Sequence, residues 1–540
     1  MTYQNVSVLM RFMAISILFA VILSIALTAI AGTPSDKTKT RERAQKAMRA
    51  GDFEHAEQLY RELLTKDDHD NDARLGLSQA LLKQRRLQDS YDHAARVIAL
   101  DPLSARAHAL LGSAVLAAGD FRLSVEEFRT ALSLNDDEAI AVAGLAMVDF
   151  YENRTASCIE GLRRAASLDS NEPDYVFNLG QAAARSERYK EAADAYERFL
   201  QIAPRTDADR RARIRGLIDF LRYLGQQGSL YSLGGSNRTA VKFEAPDFRP
   251  IIKIRLNGSK EFLRFVLDTG SGMSVLSEET ARRMGIRAVA RGGLARAVGG
   301  GGRFEIVYGY VNSIEVGDIQ IQNVPVYIRH FFDEHNPVDG YLGIAALGRL
   351  ITVLDYGSQQ MTLLRQRNSE STSLATLINP GKGVDAGPAR QGIDLPVRTT
   401  SSGFISGEVF IDGIKKPLNF ILDTGATVTV VSEKLAQLEE SQGFIQQTRM
   451  RVFGAAGVAD DVKTALLPKL TIGSLARERL EAAVLDLDPV NETAGFQQSG
   501  ILGANFLRHF RLMFDFQKGI VRLEPLEDAA VQNYNAPQPK

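Results

Sequence analysis

Two short stretches of the chain each place an acid at the end of an apolar run: Phe265-Val266-Leu267-Asp268-Thr269-Gly270-Ser271 and Phe420-Ile421-Leu422-Asp423-Thr424-Gly425-Ala426. A carboxylate buried in such surroundings is costly unless its charge is paired, hydrogen-bonded or neutralised. Two of them brought together meet this condition by sharing one proton, because like charges at that separation cannot both ionise. The shared proton leaves a base beside an acid, the arrangement that general acid–base catalysis needs. One such aspartate would be ordinary, but two in matched contexts read as a catalytic pair.

The surroundings match well beyond the triplets. Gly258 precedes Asp268 by ten positions, as Gly413 precedes Asp423. Each glycine follows an alternating run, Ile252–Leu256 and Glu408–Ile411, so each half opens with a hairpin that feeds the Asp-Thr-Gly strand. Nine residues after each Asp stands a Ser-Glu pair, Ser277-Glu278 and Ser432-Glu433, a helix-start signal, and Gly285 supplies a stop for the first helix. A Gly-rich segment recurs at the common offset of 155, Val298-Gly299-Gly300-Gly301-Gly302 and then Phe453-Gly454-Ala455-Ala456-Gly457. Asp339-Gly340-Tyr341-Leu342-Gly343 is echoed by Ser499-Gly500-Ile501-Leu502-Gly503, and strands through Tyr356 and Phe516 close the two halves.

Residues from about Ile251 to Pro525 thereby resemble the retropepsin-like aspartic proteases, whose single lobes dimerise, and their fused two-lobe relative pepsin. The resemblance implies a mainly-β, two-lobed fold and an aspartic-type endopeptidase in which Asp268 and Asp423 hold one water and activate it against a peptide carbonyl. It implies that Thr269 and Thr424 brace the two loops across the pseudo-twofold axis. Gly270 and Gly425 leave room for the partner loop, with Ser271 and Ala426 completing the turns. Gly299, Gly300, Gly301 and Gly302, with Gly454, Ala455, Ala456 and Gly457, have the composition of flap tips over a cleft, and no counterpart of the pepsin flap Tyr is evident. The halves are unequal, with Asp339 facing Ser499 and a loop five residues longer in the second. Such inequality suits a single-chain pseudodimer. It also fits a noncatalytic envelope scaffold that binds peptides and keeps the protease fold, and the lobes can pair within one chain or through a homodimer.

The N-terminal half has another grammar, a 34-residue period with starts near 37, 71, 105, 139 and 173. Gly51-Asp52-Phe53 with Ala56 and Tyr60, Leu111-Gly112 with Phe128, and Leu179-Gly180 with Tyr189, Ala192, Tyr196 and Pro204 resemble the tetratricopeptide repeat. An all-α solenoid of five repeats follows, with a capping helix near Asp207–Leu224. Its concave face would dock a protein partner. The run Arg210, Arg211, Arg213 and Arg215 is expected on the solvated side of the cap, not against nucleic acid, because Asp207, Asp209 and Asp219 intervene and the net charge is −1.

Composition divides the multidomain chain into residues 1–31, 37–224, 225–247, 248–366, 367–391, 392–526 and 527–540: leader, solenoid, linker, first lobe, inter-lobe linker, second lobe and a disordered tail. The leader has no charge between Arg11 and Asp36, and Ala29-Ile30-Ala31 forms a small-x-small site. It reads as a cleaved signal peptide or a retained membrane anchor, and either places the lobes outside the cytoplasm. The single Cys158 excludes an intrachain disulfide, which points to a bacterial periplasm, and it falls at a small-residue packing position. The seven His are scattered, and His330 with His335 lacks a metal-ligand spacing. Gly299–Gly302 lacks the Lys of a phosphate loop. No cofactor and no metal are expected.

Overall fold

The computed structural model describes residues 36–300, 302–333, 336–366 and 392–526. The leader at 1–31, the inter-lobe linker at 367–391, the tail at 527–540, Gly301 and His335 lie outside the described residues. Among those described, no helix is long and apolar enough to cross a membrane.

The chain divides into two compact units, Met1–Pro102 and Leu103–Lys540. In the first, the helices Asp36–Ala50, Phe53–Lys66, Asn71–Lys83 and Leu87–Leu100 form two antiparallel pairs. Asp52 and Asp70 cap helix starts by accepting the His55 and Ala73 backbone N–H groups at 3.2 and 3.0 Å. The Tyr60 ring lies against Gly76, so the small residue of one helix receives the aromatic of another.

The second unit continues the pattern with pairs Ala105–Ala118 and Phe121–Leu134, Ala139–Tyr151 and Thr155–Leu168, and Pro173–Arg185 and Tyr189–Ile202. Phe128, fully buried, fills the space left by Gly112 and Gly144, and Tyr196 lies over Gly180. Cys158 is buried in the same packing, and burial pushes its thiol up to about 12. A last helix, Ala208–Leu224, covers the end, with Asp207 accepting the Arg210 N–H at 2.7 Å.

Strands then take over. Each lobe is an eight-stranded sheet built around the strand that ends in Asp-Thr-Gly. In the first lobe, Leu263–Leu267 pairs antiparallel with Ile251–Leu256 and parallel with Gly340–Leu342, with Leu267 opposite Leu342. In the second, Leu418–Leu422 pairs antiparallel with Ile405–Ile411 and parallel with Gly500–Leu502, with Leu422 opposite Leu502. A six-stranded sheet joins the lobes through the antiparallel pair Leu350–Asp355 and Phe510–Asp515, Val353 opposite Met513. One hydrophobic core, containing Phe265, Leu267, Phe420, Leu422, Phe506 and Phe514, runs through both lobes.

The stretch 225–247 is not a free linker. Ser232–Gly235 pairs with Ile319–Gln322 at an edge of the first sheet, and Arg238–Lys242 pairs with Gln360–Leu364 at an edge of the joining sheet. Its Gly, Ser and Asn content reflects short edge strands and a tight turn between them, which composition alone does not separate from a linker.

The three repeats of this unit dock on the lobes through the turns between their paired helices. Phe496 of the second lobe is fully buried between Phe121 and Tyr151, with ring centroids 4.9 and 5.1 Å away. Gln497 N–H donates to Ala117 O at 2.9 Å, and Arg185 donates to Thr400 O at 2.5 Å while stacking on the Phe150 ring. Burying Phe496 alone is worth roughly 2–3 kcal/mol, so solenoid and lobes stabilise one another here.

Candidate active site

The Asp-Thr-Gly loops of one chain meet each other at the centre of the two lobes. Each loop leaves its strand where the parallel neighbour runs beside it: Asp268 N–H donates to Leu342 O at 3.1 Å, and Asp423 N–H donates to Leu502 O at 3.0 Å. The threonines cross the axis. Thr269 Oγ1 donates to Leu422 O at 2.8 Å and accepts the Thr424 N–H at 3.0 Å; Thr424 Oγ1 donates to Leu267 O at 2.6 Å and accepts the Thr269 N–H at 3.1 Å. Both threonines are buried, so each bond lost would leave an unpartnered group away from water.

This brace presses the two carboxylates together. A Cβ built on Gly270 would lie 2.5 Å from Asp423 Oδ1, and one on Gly425 would lie 2.6 Å from Asp268 Oδ1, so only glycine fits at either place. Asp268 accepts one backbone N–H, from Gly270 at 2.9 Å. Asp423 accepts two, from Gly425 at 2.8 Å and Ala426 at 3.1 Å. Burial drives Asp268 well above the ordinary carboxylate range, and the Asp423 charge and a hydrogen bond to Asp423 add to the rise. Burial also raises Asp423, against the hydrogen bond from Asp268 and the N–H groups of Gly425, Ala426 and Gly270. The pair therefore shares one proton, and the two backbone donors at Asp423 favour the carboxylate form there. Ser271 Oγ turns away and donates to Met273 O at 2.7 Å.

The Gly-rich segments are the tips of two hairpins, Ala288–Arg296 with Arg303–Val316, and Ile445–Gly454 with Gly457–Ile472. The tips meet backbone to backbone. A Cβ on Gly299 would be 2.7 Å from Gly454 Cα, one on Gly300 2.7 Å from Gly457 Cα, and one on Gly302 2.6 Å from Ala456 O. Ala455 O accepts a hydrogen bond from Arg329, whose guanidinium also lies 3.8 Å from the Phe304 ring centroid.

Three further side chains were given no role from the sequence, two beside this centre and one at the hairpin tips. Arg249, buried and paired with Asp333 at 2.8 Å, opposes the rise of Asp268. Tyr341 is pushed up by burial, and its surroundings include the charges of Arg249, Asp268 and Asp423. Arg329 is the third. Their counterparts, by continuation of the strand register, are Phe404, Ile501 and Leu485 in the second lobe, so matching the halves by motif gives no hint of Arg249 and Arg329 and shows Tyr341 only as a mismatch. Val298 of the first hairpin packs instead against the second-lobe cluster of Val430, Val462, Ala483, Leu485 and Leu487. Among the described residues no group of His, Cys, Asp and Glu is arranged to hold a metal ion.

An aspartyl protease family model matches residues 252–346 and again 407–506, and tetratricopeptide-repeat models match 47–114 and 173–206. No curated protein matches the chain. Among solved structures the chain is similar to the aspartic proteinase from Irpex lacteus, with 15% identity, 54% of this chain and 98% of that one covered, and a TM-score of 0.35. It is similar to a thermophilic TPR protein of Thermus thermophilus, with 18% identity, coverage of 34% and 98%, and a TM-score of 0.29. A third likeness, to MamA from Desulfovibrio magneticus, has 22% identity, coverage of 32% and 97%, and a TM-score of 0.23.

Proposed function

We propose, from the premise that this chain joins tetratricopeptide repeats to a two-lobed aspartyl protease domain, that it is an exported aspartic endopeptidase in which Asp268 and Asp423 are the catalytic dyad. The observation that carries the reading is the mutual seating of the two carboxylates, each over the other's glycine. Asp423, the carboxyl with two N–H donors, takes a proton from a water placed between the carboxyls. The water oxygen bonds to the peptide carbonyl carbon while Asp268 gives its proton to the carbonyl oxygen, forming a neutral diol. In collapse the C–N bond breaks, Asp423 returns its proton to the leaving nitrogen, and Asp268 recovers one from the diol. Thr269, Thr424, Gly270 and Gly425 fix the separation of the carboxyls, and the two hairpins cover the cleft and exclude water. The apolar N-terminal segment supports export to the envelope, and the repeats support recruitment of a substrate or partner protein.

The test is cleavage of an unstructured peptide library by the full-length protein between about pH 4 and about pH 7.5, beside Asp268→Asn and Asp423→Asn. Cutting lost in both variants, with folding intact by circular dichroism, is the expected result. Silence of the parent together with peptide binding that survives both substitutions would favour the noncatalytic scaffold.

A further inference from the structure

The capping helix Ala208–Leu224 carries a glycine, Gly216, in its middle, where an isolated helix gains nothing from one. The reason lies outside the helix. A Cβ on Gly216 would come within 2.5 Å of Gly292 Cα and into the carbonyl of Arg291, both in the outer strand of the first hairpin. That strand bulges here, its register breaking between Arg291 and Leu294, and Gly293 takes a left-handed φ of 68°. The bulge faces Ala212, whose Cβ would be 3.1 Å from a Cβ on Gly293. Around this seat Arg213 Nη1 donates to Leu294 O at 2.9 Å, Arg303 pairs with Asp209 at 2.7 Å, and Phe220 stacks on Tyr308 with centroids 4.3 Å apart. Tyr223 meets Tyr310 edge-on at 5.5 Å. The arginine run is thus no solvated face: Arg211 donates to Leu200 O at 2.7 Å, Arg210 lies 4.7 Å from the Phe177 ring centroid, and Arg215 alone of the four is exposed. The outer strand of the second hairpin, Ile445–Gly454, has no helix lying along it among the described residues and alternates to solvent for most of its length.

We infer that the capping helix is a positioning element of the cleft: through Arg213, and through the close seat that Gly216 permits, it holds the first hairpin over the aspartates, so that the second hairpin alone lifts to admit substrate. The solenoid then does more than recruit, because its last helix sets the height of one side of the cleft roof. A protein bound to the repeats would act on the site through this helix. The inference rests on the proteolytic reading for its consequence in catalysis, while the clasp itself is a property of the unliganded chain.

Hydrogen exchange on the intact protein, resolved by peptide, tests the clasp without any substrate. Amides of 288–296 should exchange about tenfold or more slowly than those of 445–454, as clasped and unclasped hairpins differ in local opening. Gly216→Ala keeps the helix, since Ala is the better helix former, and wedges the strand away; it should speed exchange at 288–296 by about tenfold and leave 350–355 and 510–515 unchanged. Arg213→Ala should act in the same direction with smaller effect, and Arg213→Lys should restore protection by donating to the same carbonyl. In cleavage assays Gly216→Ala should raise KM severalfold at nearly constant kcat, unlike the dyad variants, which lose kcat. Equal exchange of the two hairpins in the parent, or no acceleration in Gly216→Ala, would overturn the inference. If the parent cuts no peptide, the proteolytic reading fails while the exchange data still decide the clasp.

Discussion

The two lobes repeat one sequence pattern at an offset of 155, and around the shared Asp-Thr-Gly turns their side chains differ. The first lobe sets Arg249, Tyr341 and Arg329 where the second sets Phe404, Ile501 and Leu485. The first hairpin is seated on a helix, whereas among the described residues no helix lies along the outer strand of the second, whose tip meets its neighbour's tip and Arg329. What the halves share is therefore the backbone geometry that brings two carboxylates together, and what they do not share makes the two sides of one cleft unequal. Doubling a lobe yields a symmetric dyad. Fusing it frees each copy to specialise.

The sharpest way to break the comparison is at the dyad. If the lobes contribute to one site, Asp268→Asn and Asp423→Asn should each lower kcat by about 10³-fold or more, measured on any peptide that the parent cuts. Marked activity left in only one variant would mean that the aspartates do not act as a pair.

Next comes pH, where the lobes differ in how many backbone donors reach each carboxyl. Asp268 has one N–H donor and Asp423 two, and burial with the Asp423 charge beside it raises Asp268 well above the ordinary carboxylate range. The alkaline limb of kcat/KM should accordingly lie above about pH 4, falling about tenfold per pH unit beyond it. Stability follows the same proton. Between the unfolded value near 4 and the raised folded value the native state binds more protons than the unfolded chain, so stability declines as pH rises through that window and levels off above it. Asp268→Asn removes the part of the dependence that Asp268 contributes, and its melting temperature should gain on the parent's as pH rises from about 4.

A smaller effect separates Asp339 from Ser499. Asp339 accepts the Arg264 N–H and the Thr280 hydroxyl, each at 2.8 Å, and Arg283 at 2.5 Å, tying the helix Glu278–Arg283 to the strand that leads to Asp268. Ser499 joins its lobe through the backbone, its N–H donating to Asn419 O at 2.8 Å. In the second lobe Gln498 and Asn491 supply the side-chain ties, with Gln498 N–H donating to Asn491 Oδ1 at 2.7 Å and Ser406 Oγ donating to Gln498 Oε1 at 2.8 Å. Asp339→Ala should cost about 2 kcal/mol in denaturant unfolding and Ser499→Ala less than about 0.5 kcal/mol. Equal costs would erase this distinction between the lobes.

These contrasts also mark how far the sequence could be read. The fold class was legible because two periodicities, 34 residues in the helices and one long offset in the strands, each repeat an environment as well as a residue. The doubled motif and the family resemblance pointed to a pairing of Asp268 with Asp423 and of Thr269 with Thr424 but left open whether it forms within one chain, which is where the structure places it. Whatever lacks a counterpart was hidden. Arg249 and Arg329 sit opposite apolar residues in the other lobe, so matching the halves discards them. The edge strands Ser232–Gly235 and Arg238–Lys242 are too short and too rich in small residues to show an alternating face. The arginines of the capping helix looked solvated because their partners, the carbonyls of Leu200 and Leu294, carry no side-chain signal. Gly216 was the available clue, a helix-interior glycine that only a close neighbour explains.

The smallest expected effect bears on the one difference between the Asp-Thr-Gly turns that the sequence displays, Ser271 in one and Ala426 in the other. A serine beside a catalytic carboxyl invites the idea that its hydroxyl tunes the proton. Ser271 Oγ is spent on Met273 O within its own turn, and the turns differ instead in their backbone hydrogen bonds, Gly270 N–H to Asp268 against Gly425 and Ala426 N–H to Asp423. Ser271→Ala should therefore cost up to about 1 kcal/mol of stability, the worth of one local hydrogen bond, and leave the alkaline limb of the pH–rate profile in place. A shift of that limb would mean that the hydroxyl turns to Asp268 during turnover, and the asymmetry of the dyad would then rest on a side chain after all.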